Sequence, residues 1–357
     1  MSGGVDSSVA AALLKRAGFE VIGVFMKFWV EPREGSPLIY ADKNTDLRRY
    51  ENRCCSTESE KRTRKVAKIL KIPFYVFNFE KEFKKRIVDY FLKENKLGLT
   101  PNPCVVCNKE IKFGLLLEKA LTLDADYLAT GHYARIKKDK TGIHLLRARD
   151  ENKDQSYFLW KLNQNQLKRI LFPVENYTRK EVEKLAKKFK LPVVGIKKSV
   201  EICFIQTTIN DFFKKYLKKK PGAIVDTQGK IIGEHQGLWL YTIGQRKGMG
   251  LPGGPYYVLD KNLKKNTLIV TKNEKDLYKK ELRAKNVNWI SGRAVKLPLK
   301  VQAKIRYRHQ PASANLTYNL KPKTYTLKFD KPQRAVTPGQ SVVFYQGQEV
   351  LGGGIIC

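Results

Sequence analysis

The sequence predicts an α/β fold with a parallel sheet, followed by two small, mostly β domains of which the last is a β-barrel. Helical and extended apolar patterns alternate over residues 1–135, as they do in parallel sheets covered by helices. Beyond about residue 210, short β-rich runs between Gly and Pro turns replace this alternation. We therefore divide the 357 residues into domains 1–210, 211–278 and 279–357.

The periodicity also predicts individual elements. An apolar helical face at 9–17 ends at Gly18, and Pro73 ends a second helical pattern. The predicted helices are 9–17, 57–71, 80–97, 109–122, 155–170 and 178–190, and the predicted strands are 21–28, 74–79, 126–130, a hairpin over 134–149, 223–225, 239–242, 256–259, 267–270, 301–307, 315–320, 324–329 and 341–345. Residues 31–53 lack periodicity and are expected to form a mobile loop.

The charge is the most unusual property of the composition. The chain carries 69 Lys and Arg against 34 Asp and Glu, a net charge of +35, and residues 279–357 alone carry 15 basic and 3 acidic side chains. Such an excess indicates a polyanionic partner, with nucleic acid the first candidate. A Lys-rich genome composition is the alternative explanation.

Several classes of protein are excluded. No apolar run approaches the ~20 residues of a membrane span, and six Cys are too few for a disulfide scaffold. No targeting segment precedes the first motif, so we expect a cytoplasmic protein, or one of an organelle interior if a targeting peptide lies upstream. The chain opens inside a motif that ordinarily follows a strand, so we expect that first strand to be missing.

That first motif is a phosphate-binding loop, Ser2-Gly3-Gly4-Val5-Asp6-Ser7-Ser8. Two glycines allow backbone N–H groups to approach an anion, the hydroxyls add donors, and the following helix N-terminus adds positive potential. Asp6 is suited to hold Mg²⁺ against phosphates. The loop lacks the Gly-Lys-Ser/Thr of a Walker A loop and carries the signature of the PP-loop ATP pyrophosphatases, an adenine nucleotide alpha hydrolase-like fold.

The second motif is Cys104-x-x-Cys107, in a stretch where Pro101 and Pro103 fix an extended loop. The pair is expected just before a helix beginning near Asn108, whose dipole would favour the thiolate. The pair could be half of a zinc site, but no second Cys pair completes the four ligands. It could also be a redox dithiol, but the thioredoxin-like context of such a motif is missing.

Three further cysteines are less informative. Cys203 lies in a strand-like segment, where it is either a buried core residue or a functional thiol. Cys54 and Cys55 are expected to be structural or part of a loop.

With these motifs in hand, the chain resembles the tRNA-specific 2-thiouridylases over essentially its whole length. The matching stretches are 2–8, 25–27, 100–108, 111–113, 129–133, 152–159, 202–205, 233–237, 242–248, 306–308, 337–340 and 351–354. The resemblance implies that ATP adenylates the C2 oxygen of the wobble uridine in tRNA, and that sulfur from a cysteine persulfide replaces it. A persulfide sulfur donor or relay protein would then be a second partner.

The resemblance also assigns roles to residues. Cys107 would be the nucleophile and Cys203 the persulfide carrier, and the two would form a transient disulfide. The ATP-binding residues would be Ser2, Gly3, Gly4, Val5, Asp6, Ser7, Ser8, Met26 and Gly131. The tRNA-binding residues would be Asn102, Pro103, Cys104, His132, Lys153, Asp154, Gln155, Arg306, Tyr307 and Gln340.

Two departures from the family pattern leave questions open. Many relatives carry Asp, a proposed general base, where this chain has Cys104, so a thiolate or a substrate phosphate would have to serve instead. Alternatively Cys104, Cys107 and Cys203 could hold an iron–sulfur cluster with one open iron. Lys198 replaces a second family Asp. The competing functions are a PP-loop enzyme with a small-molecule substrate and a non-catalytic RNA-binding protein.

Overall fold

A computed structural model describes residues 1–31, 56–195 and 202–357. The chain divides into two compact units. Unit 1 comprises Met1–Val88, Val106–Ser156 and Asn165–Ile209, and unit 2 comprises Asp89–Val105, Tyr157–Gln164 and Asn210–Cys357. Almost all of the expected loop 31–53, together with Cys54, Cys55 and Lys198, lies outside the described residues. The division into three domains stays a prediction.

The helices match most of the expected positions. In chain order the α-helices are α1 (Val5–Arg16), α2 (Thr57–Leu70), α3 (Glu80–Phe83), α4 (Asp89–Lys96), α5 (Pro103–Cys107), α6 (Leu116–Leu121), α7 (Gln164–Leu167), α8 (Arg179–Lys188) and α9 (Ile209–Tyr216). Two π-helical segments, Lys84–Val88 and Asn108–Leu115, continue α3 and α5. In the described part of the chain, no helix is long and apolar enough to cross a membrane.

Unit 1 contains the predicted parallel strand pairs. Its strands are β1 (Gly23–Lys27), β2 (Phe74–Asn78), β3 (Leu128–Ala129), β4 (Arg135–Asp139), β5 (Gly142–Leu146) and β6 (Ile170–Leu171). Strands β1 and β2 pair in parallel, as do β3 and β6, while β4 and β5 form the expected antiparallel hairpin. The parallel pairing confirms the α/β prediction for this unit.

The helix ends of unit 1 follow from local sequence. Ser56 caps α2 by accepting a hydrogen bond from the Ser59 backbone, and Thr178 with Glu181 forms a capping box at the start of α8. These three side chains satisfy backbone donors that a helix leaves without an internal partner. Helices α1 and α8 pack through a buried apolar cluster that includes Val9.

Unit 2 is mostly β. Its strands are β7 (Gly222–Val225), β8 (Ile231–His235), β9 (Tyr257–Asn262), β10 (Thr267–Thr271), β11 (Tyr278–Trp289), β12 (Leu299–Lys304), β13 (Ala312–Asn319), β14 (Thr324–Arg334), β15 (Ser341–Gln346) and β16 (Glu349–Ile356). The first four form a sheet in the order β8-β7-β10-β9. The last six form an antiparallel barrel, β11-β14-β13-β12-β15-β16, which the β11–β16 pairing closes. This confirms the predicted C-terminal barrel.

Four local predictions are wrong. The region 155–170 holds a short 3₁₀ turn, α7 and the first residue of β6, and 239–242 contains part of a 3₁₀ turn instead of a strand. The helix expected near Asn108 begins earlier, at Pro103, because proline is well tolerated in the first turn of a helix. Both cysteines of the pair therefore lie within helical structure. Cys203 lies in a turn and not in a strand.

Candidate functional site

The predicted phosphate loop forms the N-terminus of α1. Gly4 is the helix N-cap, with an extended backbone and no side-chain cap. Its carbonyl oxygen accepts hydrogen bonds from the hydroxyls of Ser7 (3.2 Å) and Ser8 (2.9 Å), and the Ser2 backbone N–H donates to Ser7 Oγ at 3.1 Å. These contacts fold the loop around the start of the helix, where backbone N–H groups without helical partners favour an anion.

Two glycines allow close approach to this loop. At Gly3, φ is +71° and an added Cβ would lie 2.5 Å from the Ser59 carbonyl oxygen. At Gly131, an added Cβ would lie 2.6 Å from the Asp6 carbonyl carbon and the Ser7 nitrogen. Glycine is therefore the only residue that fits either place without displacing backbone. The loop is thus held tightly from two sides, as a phosphate-binding loop requires.

Among the residues that the structure describes, two side chains donate to the Asp6 carboxylate, both to the same oxygen. Tyr133 Oη donates to Asp6 Oδ1 at 2.7 Å, and the Arg179 guanidinium forms an ion pair with the same oxygen. Burial, reinforced by Asp6, raises the pKa of the Tyr133 phenol, so Tyr133 stays protonated and donates. Burial opposes the charge on Arg179, but Asp6 and Glu183 outweigh it and raise the pKa of its guanidinium.

Arg179 is a residue of this site that the sequence did not indicate. It is the first residue of α8, and its Nε donates to Glu183 Oε1 at 2.7 Å. The capping box gave a signal for the helix start. Nothing local connected that start to a loop 173 residues earlier.

The other two expected ATP-binding residues lie at or just beyond the carboxyl ends of parallel strands. Met26 is the fourth residue of β1 and is half-buried, and Gly131 lies two residues after β3. Ligands of open α/β sheets bind beyond the carboxyl ends of such strands. The described geometry of the loop, Asp6 and Gly131 fits a nucleotide phosphate with its Mg²⁺: donors at a helix N-terminus, a partly exposed carboxylate and close-packed glycines.

The cysteine pair lies one helical turn apart on α5 but differs in exposure. Cys104 is exposed, whereas Cys107 is 8% exposed. Gln166 contacts the π-helical segment that follows: its Nε2 donates to the carbonyl oxygens of Phe113 (2.7 Å) and Lys109 (3.3 Å). Such π segments are rare in proteins overall, and those that occur are often found at functional sites. Gln166 thus stabilises the helix directly after the expected nucleophile.

Cys203 belongs to unit 1, as does Cys107. Its neighbour Phe204 is buried and packs edge-on against Phe83, with ring centroids 5.8 Å apart. Among the residues that the structure describes, no three His, Cys, Asp or Glu side chains are grouped to hold a metal ion. An iron–sulfur cluster held by Cys104, Cys107 and Cys203 therefore gains no support from the geometry.

Four expected tRNA-binding residues lie in unit 1, and three of them have clear structural partners. Asp154 is 5% exposed and accepts hydrogen bonds from the backbones of Ala148 and Ser156 and from the Ser156 hydroxyl, so its carboxylate organises a turn. Gln155 Oε1 accepts from the Tyr133 N–H at 3.0 Å.

His132 is tightly constrained, whereas Lys153 is only half-buried. His132 Nδ1 lies 2.8 Å from Thr130 Oγ1, and its ring contacts those of Phe113 and Phe172. Burial, with the nearby charge of Lys112, holds the pKa of His132 well below its usual value. The imidazole is therefore neutral at physiological pH.

The other expected tRNA-binding residues lie in unit 2, where the turn 337–340 holds the loop before Cys104. Gln340 Nε2 donates to the Thr100 carbonyl oxygen at 2.7 Å, and the Thr100 N–H donates to the Pro338 carbonyl oxygen at 2.9 Å. Asn102 Oδ1 accepts from the Val105 N–H at 3.4 Å, and Pro103 starts α5.

Arg306 and Tyr307 follow strand β12. Arg306 Nη2 donates to the carbonyl oxygens of Ile243 (3.0 Å) and Ala335 (3.1 Å) and to the Thr337 hydroxyl. This nitrogen therefore joins three segments of unit 2. The Tyr307 ring packs against Phe158 with centroids 4.4 Å apart.

A phosphate loop in an α/β unit, followed by an antiparallel β-barrel, defines a HUP-type nucleotide-binding protein with appended β domains. Three family models match in this order: a "tRNA methyl transferase HUP domain" over residues 1–207, a "tRNA methyl transferase PRC-barrel domain" over 210–272 and an "Aminomethyltransferase beta-barrel domain" over 279–356. The predicted fold class is thereby confirmed.

Full-length relatives identify the family. The chain is 46% identical over 362 residues to a tRNA-specific 2-thiouridylase MnmA of Clostridioides difficile, covering 100% of this chain and 96% of the relative. It is similarly 46% identical over 364 residues to that of Halothermothrix orenii, covering 100% and 97%, and 45% identical over 366 residues to that of Lactobacillus gasseri, covering 100% and 93%. The chain belongs to the tRNA-specific 2-thiouridylase MnmA family.

Proposed function

We propose that this chain is an ATP-dependent tRNA-uridine 2-sulfurtransferase that makes 2-thiouridine in tRNA. The observation that carries the proposal is the phosphate loop at the start of α1, which includes Asp6 and lies in the same compact unit as Cys107 and Cys203. Activation by ATP and attack by a sulfur nucleophile are the two requirements for replacing a carbonyl oxygen by sulfur. The family of full-length relatives supports tRNA as the substrate.

In the first step, the C2 oxygen of the wobble uridine attacks the α-phosphorus of ATP. The new O–P bond gives an adenylated base, and pyrophosphate leaves. Backbone N–H groups of the phosphate loop would bind the phosphates, and the Asp6 carboxylate would hold their Mg²⁺, which would supply positive charge to the pyrophosphate leaving group. The base must leave its stack for this chemistry, and Asn102 and Pro103 are the residues we assign beside it.

In the second step, the terminal sulfur of a persulfide on Cys203 attacks C2, and AMP leaves with the former C2 oxygen. The Cys107 thiolate attacks the Cys203 sulfur, so that the persulfide S–S bond breaks as a Cys107–Cys203 disulfide forms. The persulfide proton is lost to solvent. A thiol reductant then restores both cysteines, and a sulfur donor or relay protein reloads Cys203.

The test is a reconstituted reaction with ATP, Mg²⁺, a persulfide donor, a thiol reductant and unmodified tRNA. We expect 2-thiouridine by nucleoside mass spectrometry and pyrophosphate by a coupled assay. Cys107→Ser and Cys203→Ser should abolish 2-thiouridine, whereas Cys357→Ser, at an exposed cysteine with no assigned role, should keep it. Unchanged product in both serine variants would refute the thiol mechanism. ATP turnover on a small substrate without tRNA would favour a different PP-loop activity.

A further inference from the structure

The two oxygens of the Asp6 carboxylate have different surroundings. Oδ1 accepts hydrogen bonds from Tyr133 Oη, at 2.7 Å, and from the Arg179 guanidinium. An ionised carboxylate oxygen has about two acceptor positions, so these donors occupy Oδ1. Within residues 1–31, 56–195 and 202–357, Oδ2 makes no hydrogen bond or ion pair. The Asp6 side chain is 28% exposed, and Oδ2 is not one of the fully buried side-chain oxygens that lack a hydrogen-bond partner, so a ligand can reach it.

Both donors are themselves held in place. The Tyr133 N–H donates to Gln155 Oε1 at 3.0 Å, and the Gln155 N–H donates back to the Tyr133 carbonyl oxygen at 2.8 Å. Arg179 Nε donates to Glu183 at 2.7 Å, and the Arg179 side chain is only 12% exposed. A carboxylate that accepts hydrogen bonds from two donors held in place in this way has a fixed orientation.

From this asymmetry we propose that Tyr133 and Arg179 are positioning residues: they fix Asp6 through Oδ1 and thereby present Oδ2 to the Mg²⁺ of bound MgATP. The proposal rests on the proposed use of ATP. It deepens that function, because it assigns the orientation of the metal-binding carboxylate to two residues that come from distant parts of unit 1. Neither residue needs to touch the nucleotide in this role.

The role predicts a specific pattern of binding. Loss of either donor frees the carboxylate to rotate, which weakens the contact with Mg²⁺ but leaves the contacts between the loop backbone and the phosphates. We therefore expect the affinity for MgATP to fall, while the affinity for ATP in EDTA stays within about twofold of wild type. A hydrogen bond to a charged group sets the scale, and we expect a fall of about tenfold for MgATP.

The experiment is isothermal titration of the full-length protein with ATP, in Mg²⁺ and in EDTA, without tRNA. The variants are Tyr133→Phe, which removes only the hydroxyl, Arg179→Met and Arg179→Lys. We expect Arg179→Lys to bind MgATP more tightly than Arg179→Met does, because it keeps the positive charge. Arg149→Met is the matched control for loss of a positive charge, since Arg149 contacts Asn176 and Glu181 in the same unit and not Asp6. Thermal unfolding verifies that each variant is folded, and Tyr133→Phe carries the test if Arg179→Met is not.

The outcomes separate the alternatives. If Arg179→Met lowers the affinity for ATP equally in Mg²⁺ and in EDTA, Arg179 binds phosphate directly. If Arg179→Met binds MgATP more tightly than wild type does, Arg179 competes with the metal for Asp6. Either result overturns the proposal, as does unchanged MgATP affinity in Tyr133→Phe and Arg179→Met. If wild-type protein binds ATP in neither condition, the proposed function itself fails.

Discussion

Substitution of Gly131 by alanine should disable ATP binding through packing alone. The added Cβ would lie 2.6 Å from the Asp6 carbonyl carbon and from the Ser7 nitrogen. Ordinary contacts between such atoms begin near about 3.4 Å, so the segment after β3 and the phosphate loop must separate by about 0.8 Å. The atoms are backbone on both sides, and no flexible side chain can yield.

The expected magnitudes follow from this displacement. Overpacking of this kind costs about 1–3 kcal/mol of stability, and a shift approaching 1 Å in a binding loop can reduce activity by about 100-fold. We expect Gly131→Ala to raise the Kd for MgATP at least about tenfold, measured by isothermal titration. Production of 2-thiouridine should fall in parallel.

The control separates loss of stability from loss of the site. Gly18 has φ +87° and no atom within 4 Å of an added Cβ, so Gly18→Ala introduces backbone strain without a clash. It should destabilise the protein by about 1–2 kcal/mol and leave MgATP affinity unchanged. A folded Gly131→Ala protein that binds MgATP within twofold of wild type would refute the reasoning.

Three further results are expected. Gln340→Ala should increase amide exchange at 99–102 and lower kcat/KM for tRNA, whereas Gln333→Ala, which loses only a local bond to Lys331, should do neither. The folded-state pKa of His132 lies below its unfolded value, so its contribution to stability is present near pH 7 and is lost as pH falls below about 6.5, by up to about 1.4 kcal/mol per pH unit. Denaturant titrations at several pH values should show this loss in wild type and not in His132→Gln. The same dependence of unfolding free energy on pH in both proteins would contradict the prediction. The affinity for tRNA should fall steeply with salt, because each neutralised phosphate adds about −0.7 to −0.9 to the slope of log K against log salt; a flat response would assign the charge of +35 to genome composition.

Local pattern was sufficient for most of the fold and failed where tertiary contacts decide. The helix predicted over 57–71 spans Thr57–Leu70, because its apolar spacing and its Ser56 cap agree. The helix predicted over 155–170 is mostly absent. There Asp154 accepts three hydrogen bonds in a turn, and Tyr157 donates to the Ser341 carbonyl oxygen at 2.8 Å. The Ser341 partner of Tyr157 lies 184 residues away and leaves no trace in the local periodicity.

The residues of the candidate site likewise divide into those that local sequence identifies and those that only tertiary contacts bring together. Residues of a contiguous motif, such as those of the phosphate loop, were identified from sequence because their chemistry depends on local spacing. Arg179 was not, because its contact with Asp6 depends on how α8 packs beside α1. Gln340 was expected to contact tRNA, and the structure additionally gives it a partner in Thr100. A sequence motif can thus indicate that a residue matters without indicating what it holds.

The unequal exposure of the two α5 cysteines bears on how the nucleophile must be assigned. An alkylating reagent that selects by access will modify the exposed Cys104 before Cys107, which is 8% exposed. Inactivation by such a reagent could therefore arise from a bulky adduct on Cys104, one turn from the reacting thiol, and would not identify the nucleophile. Cys104→Ser separates the two effects, because it removes the more accessible thiol and keeps Cys107. If Cys107 is the nucleophile and a substrate phosphate, not the Cys104 thiolate, serves as the base, this variant should still form 2-thiouridine and should lose activity to the reagent more slowly than wild type.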